Sequence, residues 1–476
     1  MKPHLVFLPT SGMGHIIPLF QLAKKLVLRH GCHVTFLVIT TEASAAQENF
    51  FRTPAANVPG LAVVNLPPAD VSEILTGDMR LVTQISVIAR ESLKPLKSIL
   101  TELGEIAGVI IDIFATDAID VCREMSIPVY SFFTASAVLL AFTLCIPTLD
   151  GEVAGEYVDL PAPIEIPGCR PMRTVDLLDQ VRDRKNAEYE WYLHHSRRLS
   201  EASGIFLNVW EDLDSDRIKA LNENPFFRNL PVPPVYPVGP VIKDGEDLSG
   251  KDAGIIAWLD SQPPESVLFV CLGSGGALSS KQLIELAWGL ELSRQRFVLV
   301  ARRPTDGVAS AAYFTVGGED GGDPSSYLPA GFVDRTEGRG LVVPSWSPQM
   351  AILRHGSTGA FLSHCGWNST LESLVHGVPM VAWPLYAEQR MNATMLVEEA
   401  GVAARVSAAS AAVGGEVVGR EEIARVVKAV IEGEEGKAMR RRAQELKETA
   451  RAAAEDGGAS DRWLAGVLGF CVEDNK

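Results

Sequence analysis

Residues 346–389 read WSPQMAILRHGSTGAFLSHCGWNSTLESLVHGVPMVAWPLYAEQ. Gly359–Ser363 is a short apolar run, and Val378–Trp383 is another. Between them, Ser363-His-Cys-Gly-Trp-Asn-Ser-Thr370 closes the first run and opens a helical segment. Strand, glycine turn, helix, strand is the repeating unit of a parallel sheet covered by helices. Gly366 permits close backbone approach at the turn, and Asn368, Ser369 and Thr370 are residue types that cap a helix start. A helix start presents N–H groups and partial positive charge, so a pyrophosphate fits there.

The same alternation extends in both directions. Toward the N-terminus, Val267-Leu-Phe-Val-Cys-Leu-Gly-Ser-Gly-Gly276 is a strand running into a glycine turn, which offers a second anion nest. Arg296–Ala301 and Gly340–Pro344 are further strands of this series. A separate series occupies the first half: Leu5–Leu8, a helix from about Pro18 to Arg29, then His33–Ile39, Gly108–Ile111 and Val129–Phe133. The Pro-rich stretch Pro231–Pro240, followed by Gly245 and Gly250, separates the two series as a linker would. The fold class is therefore α/β, with two doubly wound Rossmann-like domains of similar size facing a central cleft. The boundaries read 1–240, a linker at 241–252, 253–455, and a terminal helix at 456–476 that packs back on the first domain. In that last stretch Trp463, Leu464, Val467 and Phe470 recur at helical spacing. Thr305–Ser326, rich in Gly, Ser, Ala and Asp, reads as a surface loop.

Composition excludes several partners. Of 476 residues, 59 are acidic and 43 are Lys or Arg, a net charge of -16 that repels nucleic acid and anionic membranes alike. Phe132–Ile146 is apolar, but it is too short to span a bilayer, carries hydroxyl residues and ends at Pro147, so it reads as a buried core helix. Seven scattered cysteines without a CxxC pair fit reduced thiols, and with no export signal a cytoplasmic monomer is expected.

The 346–389 segment closely resembles the 44-residue donor-binding signature of plant UDP-sugar glycosyltransferases, and the likeness extends over the whole chain. It implies the GT-B fold and UDP-glucose as donor substrate. It also implies that Trp346 stacks on uracil, that Gln349 bonds the edge of the base, and that Glu372 takes both ribose hydroxyls. Ser274, His364, Asn368 and Ser369 would hold the phosphates; Trp367, Glu388 and Gln389 would hold the sugar, and Gln at the last position goes with glucose. Trp383 reads as a core aromatic and Cys365 as a packed thiol. Where the family has Ser-Phe before the glycine turn this chain has Cys271-Leu272, both expected to point away from the nucleotide.

His15 follows Gly12-Met13-Gly14 at the end of the first strand, and Asp112 ends the strand Gly108–Ile111. Ligands of open α/β sheets bind beyond the carboxyl ends of the strands, so these two residues reach the same rim. A phenol has a pKa of about 10, so it needs a base at neutral pH. A neutral imidazole oriented by a carboxylate supplies one. The resemblance gives those roles to His15 and Asp112 and implies direct displacement with inversion; Asp117 is the rival carboxylate. A metal-bridging Asp-x-Asp occurs once, at Asp212-Leu-Asp214, inside an acidic run that reads as a helix start, and no metal is expected.

The acceptor pocket is expected in the first domain, from Ile113, Phe114, Phe132 and Trp191, with Phe133, Leu139, Phe142, Ile85, Ile88 and Tyr192 as further candidates. The segments 112–117, 147–150, 166–169 and 384–389 resemble the hydroquinone, chlorophenol and monolignol glucosyltransferase subgroup, which implies a small phenolic acceptor. C- or N-glycosylation of an aromatic acceptor is the nearest alternative. A nucleotide-cofactor oxidoreductase would need a third glycine where Ile17 stands, and a catalytically silent binder would not need both His15 and Asp112.

Overall fold

Apolar runs set between turn residues become strands because helices cover both faces of the sheet they form. In the computed structural model, which describes residues 2–53, 56–230, 232–245, 248, 250–307, 322–406 and 417–473, the chain divides into two units. Met1–Ile242 with Ala452–Lys476 forms the first, and Lys243–Arg451 the second.

The first unit carries β1 (His4–Leu8), β2 (His33–Val38), β3 (Leu61–Asn65), β4 (Gly108–Ile111), β5 (Val129–Phe133), β6 (Gly204–Leu207) and β7 (Val235–Pro237). All pairings are parallel, in the order β3-β2-β1-β4-β5-β6-β7, with Leu5 opposite both Val34 and Gly108. The chain winds outward from β1 to β3, returns to the other side of β1, and winds outward again. The gap between β1 and β4 is thus the switch point at which such sheets bind ligands. Phe7, Phe36, Phe132 and Phe206 fill one face of the sheet, and Leu464 and Val467 of the terminal helix Ala459–Glu473 complete that core. Trp463 Nε1 donates to Glu211 (2.8 Å), while the side chain of Phe470 lies outside the described residues.

Four details depart from the sequence prediction. The first helix begins at Met13, not near Pro18, because the Gly12 carbonyl already accepts from His15 and Ile16 (3.0 Å each). Pro18 lies inside it and only withholds one backbone donor. The apolar run 132–146 is not one helix: Phe132 and Phe133 finish β5, Ser136 caps a helix at Ala137, and that helix continues through Pro147 to Glu152. The Pro-rich stretch is not purely linker, since Val235–Pro237 is the edge strand β7, a position where a missing N–H costs no ladder bond. Finally, a helix already runs from Gly250, inside the predicted linker.

The second unit carries β8 (Val267–Cys271), β9 (Arg296–Ala301), β10 (Gly340–Pro344), β11 (Thr358–Ser363), β12 (Met380–Ala382) and β13 (Ala403–Arg405), all parallel, in the order β10-β9-β8-β11-β12-β13. Its switch point lies between β8 and β11. Trp383 is fully buried in the core beside Leu268, Val270 and Leu362. Within the predicted surface loop, residues 308–321 lie outside the described residues, and Pro324–Ser326 forms a short 3-10 turn.

Candidate functional site

At the switch point of the first unit, β1 runs into Thr10-Ser11-Gly12 and the helix start, which places His15 in the first helical turn. Gly12 sits at φ 111, a conformation a side chain would strain. Asp112 N–H bonds Leu8 O (3.1 Å), which extends the β1–β4 ladder one residue and fixes Asp112 beside the end of β1. His15 Nδ1 and Asp112 Oδ2 are 2.6 Å apart. The other oxygen, Oδ1, accepts from the Thr10 hydroxyl (2.7 Å) and from Phe114 N–H (3.0 Å).

Asp112 is fully buried. Burial opposes its ionisation, but His15, Phe114 N–H and Thr10 outweigh it and hold the carboxyl below its usual range. A carboxylate only accepts, so the His15 proton resides on Nδ1 and the lone pair of the neutral ring on Nε2. The rival Asp117 is engaged elsewhere, by Arg90 (2.8 Å) and His194 (2.7 Å). Asp214 is also buried, paired with Arg217 inside a helix.

The acceptor candidates separate by burial. Phe114 stands edge-on to His15 and to His195 (centroids 5.6 Å from each), and Trp191 stacks on His195 (5.7 Å) beneath the Arg90 guanidinium (4.2 Å). His195 is buried between Thr116 (Nδ1, 2.7 Å) and Ser86 (Nε2, 2.9 Å), and burial with neighbouring His194 pushes its pKa down to about 3. Phe132, by contrast, is 0% exposed in the sheet core, so it offers no surface to an acceptor. Ile113 is nearly as buried, as are Ile85, Ile88, Phe133, Leu139 and Phe142, and the Tyr192 hydroxyl is hydrogen-bonded to that of Thr143 (2.6 Å).

At the switch point of the second unit, the Gly273–Gly276 turn follows β8 and His364-Cys365-Gly366 follows β11. The His364 ring packs between two glycines: a Cβ on either Gly273 or Gly366 would lie 2.4 Å from it. Burial and the nearby Arg302 charge push His364 down to about 4, so the ring is neutral at pH 7. Its Nδ1 is buried without a partner among the described residues, the kind of atom a ligand satisfies. The helix Trp367–Val375 starts from Gly366 without a side-chain cap. Asn368, Ser369 and Thr370 lie inside its first turn instead of preceding it, and the helix start retains its affinity for an anion.

Several predicted donor residues converge here. Gln349 Nε2 donates to Glu372 (2.6 Å) and Ser369 (3.0 Å), and Trp346, 52% exposed, presents its ring outward. Glu388 accepts from Asn392 (3.2 Å), which also holds Cys365 O (2.9 Å); the Cys365 thiol is buried and pushed up to about 12, so it is inert. Gln389 is 3% exposed, and its Oε1 accepts from Leu385 N–H (2.8 Å) and Tyr386 N–H (3.0 Å), which fixes the orientation of its amide. Cys271 is buried, and Leu272 packs against the core of the second unit. Sequence reasoning missed Thr10 and Arg302. Thr10 stands two residues beyond β1 and Arg302 directly after β9, positions that by themselves do not distinguish a site residue from a solvated one. Among the described residues no His, Cys, Asp and Glu cluster could hold a metal ion, and no helix is long and apolar enough to cross a membrane.

Comparison with known proteins adds independent findings. The family model described as UDP-glucoronosyl and UDP-glucosyl transferase matches residues 322–442. The hydroquinone glucosyltransferase of Rauvolfia serpentina is 45% identical over 478 residues, covering 100% of this chain and 98% of that one. The structure of Phytolacca americana UGT2 with UDP-2-fluoro-glucose and pterostilbene superposes with a TM-score of 0.87 at 41% identity, over 99% of this chain and 100% of the other. An indoxyl-glucosylating UDP-glucosyltransferase from Polygonum tinctorium, in complex with 3,4-dichloroaniline, gives 0.87 at 41% identity, over 99% of each chain.

Proposed function

The chain belongs to the plant family 1 UDP-dependent glycosyltransferases, enzymes of the GT-B fold, and from that premise we propose that it transfers glucose from UDP-glucose to the hydroxyl of a small phenolic acceptor, with inversion and without a metal. The acceptor oxygen attacks the anomeric carbon, the carbon–oxygen bond to the diphosphate breaks, and His15 Nε2 takes the phenolic proton. UDP departs with the bonding electron pair. Asp112, held ionised, keeps the His15 proton on Nδ1 and stabilises the imidazolium that forms. The uncapped helix start at Gly366 and the neutral His364 N–H meet the charge on the diphosphate. Trp346 stacks on uracil, Gln349 and Glu372 hold base edge and ribose, and Trp367, Glu388 and Gln389 hold the sugar.

The observation that carries this reading is the 2.6 Å contact of His15 with a buried carboxylate at the rim of the sheet. The phenolic acceptor is supported by the hydroquinone enzyme and by the pterostilbene complex. The experiment is turnover of UDP-glucose with hydroquinone, coniferyl alcohol, quercetin and a chloroaniline, with and without EDTA, in wild type and His15→Ala. Phenolic glucosides formed equally in EDTA and lost in the variant support the reading; activity restored only by manganese refutes the metal-free route. Transfer to aromatic nitrogen is the second reading, favoured by the dichloroaniline complex of the Polygonum enzyme; the chloroaniline arm tests it, and an acid-stable product would instead reveal a carbon–carbon bond.

A further inference from the structure

Resting on the donor-site reading above, we infer that Arg302 is a positioning residue that ties the uracil platform at Trp346 to the diphosphate turn at Gly273–Gly276. Arg302 directly follows β9, which lies between β10 and β8 in the sheet, so its side chain starts midway between the two loops. Its Nε donates to Ser345 O (3.1 Å), and its Nη1 donates to Ser274 O (2.6 Å) and Gly276 O (3.4 Å). One rigid guanidinium thus holds carbonyls of both loops, a geometry that the point charge of a lysine cannot copy.

Both loops need such a tie. Ser345 sits at φ 58, in the left-handed region that a side chain disfavours, and the Trp346 amide closes a tight turn onto Pro344 O (2.6 Å). The exposed Trp346 ring has little core packing to fix its angle. On the other loop, the turn is wound so closely that a Cβ on Gly276 would meet Leu272 O at 2.2 Å. The same cation stands near His364 and disfavours its protonation, which keeps the ring neutral, with one N–H to donate.

The test compares binding of UDP and of uridine, which has no phosphate, to the full-length wild type, Arg302→Gln and Arg302→Lys. Melting temperatures serve to confirm folding. A tie between the loops predicts that both substitutions weaken uridine as well as UDP, each by about tenfold or more, as expected for charge-assisted bonds to carbonyls of both loops. In turnover, KM for UDP-glucose rises while kcat at saturation is largely kept. The His364 ring, followed by NMR, titrates at higher pH in Arg302→Gln than in wild type or Arg302→Lys, a change that a purely structural role would not produce. Unchanged uridine affinity with weakened UDP would reduce Arg302 to an attractor of phosphate and overturn the inference, as would full rescue by Arg302→Lys. A wild type that binds neither uridine nor UDP would overturn the donor-site reading itself.

Discussion

Asp112→Asn tests the proposed chemistry with the least structural disturbance. The amide has the shape of the carboxylate, and the local bonds dictate its orientation. Phe114 N–H can only donate, and at 3.0 Å it demands an oxygen at the Oδ1 position. The asparagine therefore turns its NH2 toward His15 Nδ1, 2.6 Å away in the wild type. A donor facing Nδ1 forces the ring into the tautomer with its proton on Nε2, the atom that must accept the phenolic proton. General-base catalysis contributes about 10²–10⁴ in rate, roughly 2.7–5.5 kcal/mol of barrier, and most of it should disappear. The assay is kcat and KM for hydroquinone by product chromatography, repeated with a series of increasingly acidic phenols. The loss should shrink as the acceptor becomes acidic enough to ionise unaided, while UDP affinity stays near normal. A variant that retains more than about a tenth of wild-type kcat, or one with an equal loss across the series, would refute the tautomer argument.

Gly366→Ala places a methyl 2.4 Å from the His364 ring, so it should lower the melting temperature and weaken UDP at least about tenfold; adding His364→Ala should restore the melting temperature but not the affinity. His195 titrates near 3 when folded and near 6.5 when unfolded, so the stability tied to its neutral form is complete above pH 6.5 and is lost as pH falls toward 3. Urea titrations between pH 6 and 4 should therefore show wild type losing stability more steeply than His195→Gln, by about 1 kcal/mol per pH unit, and parallel pH profiles would exclude the assignment. Phe132→Ala should cost about 3–5 kcal/mol of stability with little change in acceptor KM, whereas Phe114→Ala should raise acceptor KM with a smaller stability cost; the reverse pattern would return Phe132 to the pocket.

The sequence exposed most of the strands that are buried on both faces, but not β6 (Gly204–Leu207), which is buried throughout and too short to stand out from its surroundings. β4, β5, β8 and β11 are mainly apolar with every residue buried, and each is legible, β11 to within one residue at its start. β3 shows mostly exposed side chains, with Val63 37% exposed, so its apolar content does not mark it as core. β7 was masked by the prolines that an edge position tolerates, and β13 spans only three residues. In the candidate site the donor segment was legible because its glycines and polar residues stand in one contiguous stretch. Arg302 was not, because a charge at the end of a strand has the same appearance whether it faces water or backbone carbonyls. Phe132 and Phe114 could not be told apart, since a pocket and a core ask for the same apolar residue and differ only in which neighbour is present.

Both units place their chemistry at the same topological position. His15 and Asp112 follow β1 and β4; the Gly273–Gly276 turn and His364 follow β8 and β11. At each switch point the two neighbouring strands send their connections away in opposite directions, which opens a crevice at the carboxyl ends without any specialised sequence. What the crevice does is then decided by what surrounds one imidazole. In the first unit a buried, ionised carboxylate holds the ring through Nδ1, so its remaining nitrogen is disposed to take a proton. In the second, burial between two glycines and a nearby arginine keep the ring neutral, and Nδ1 is buried without a partner among the described residues, beside a helix start with no side-chain cap.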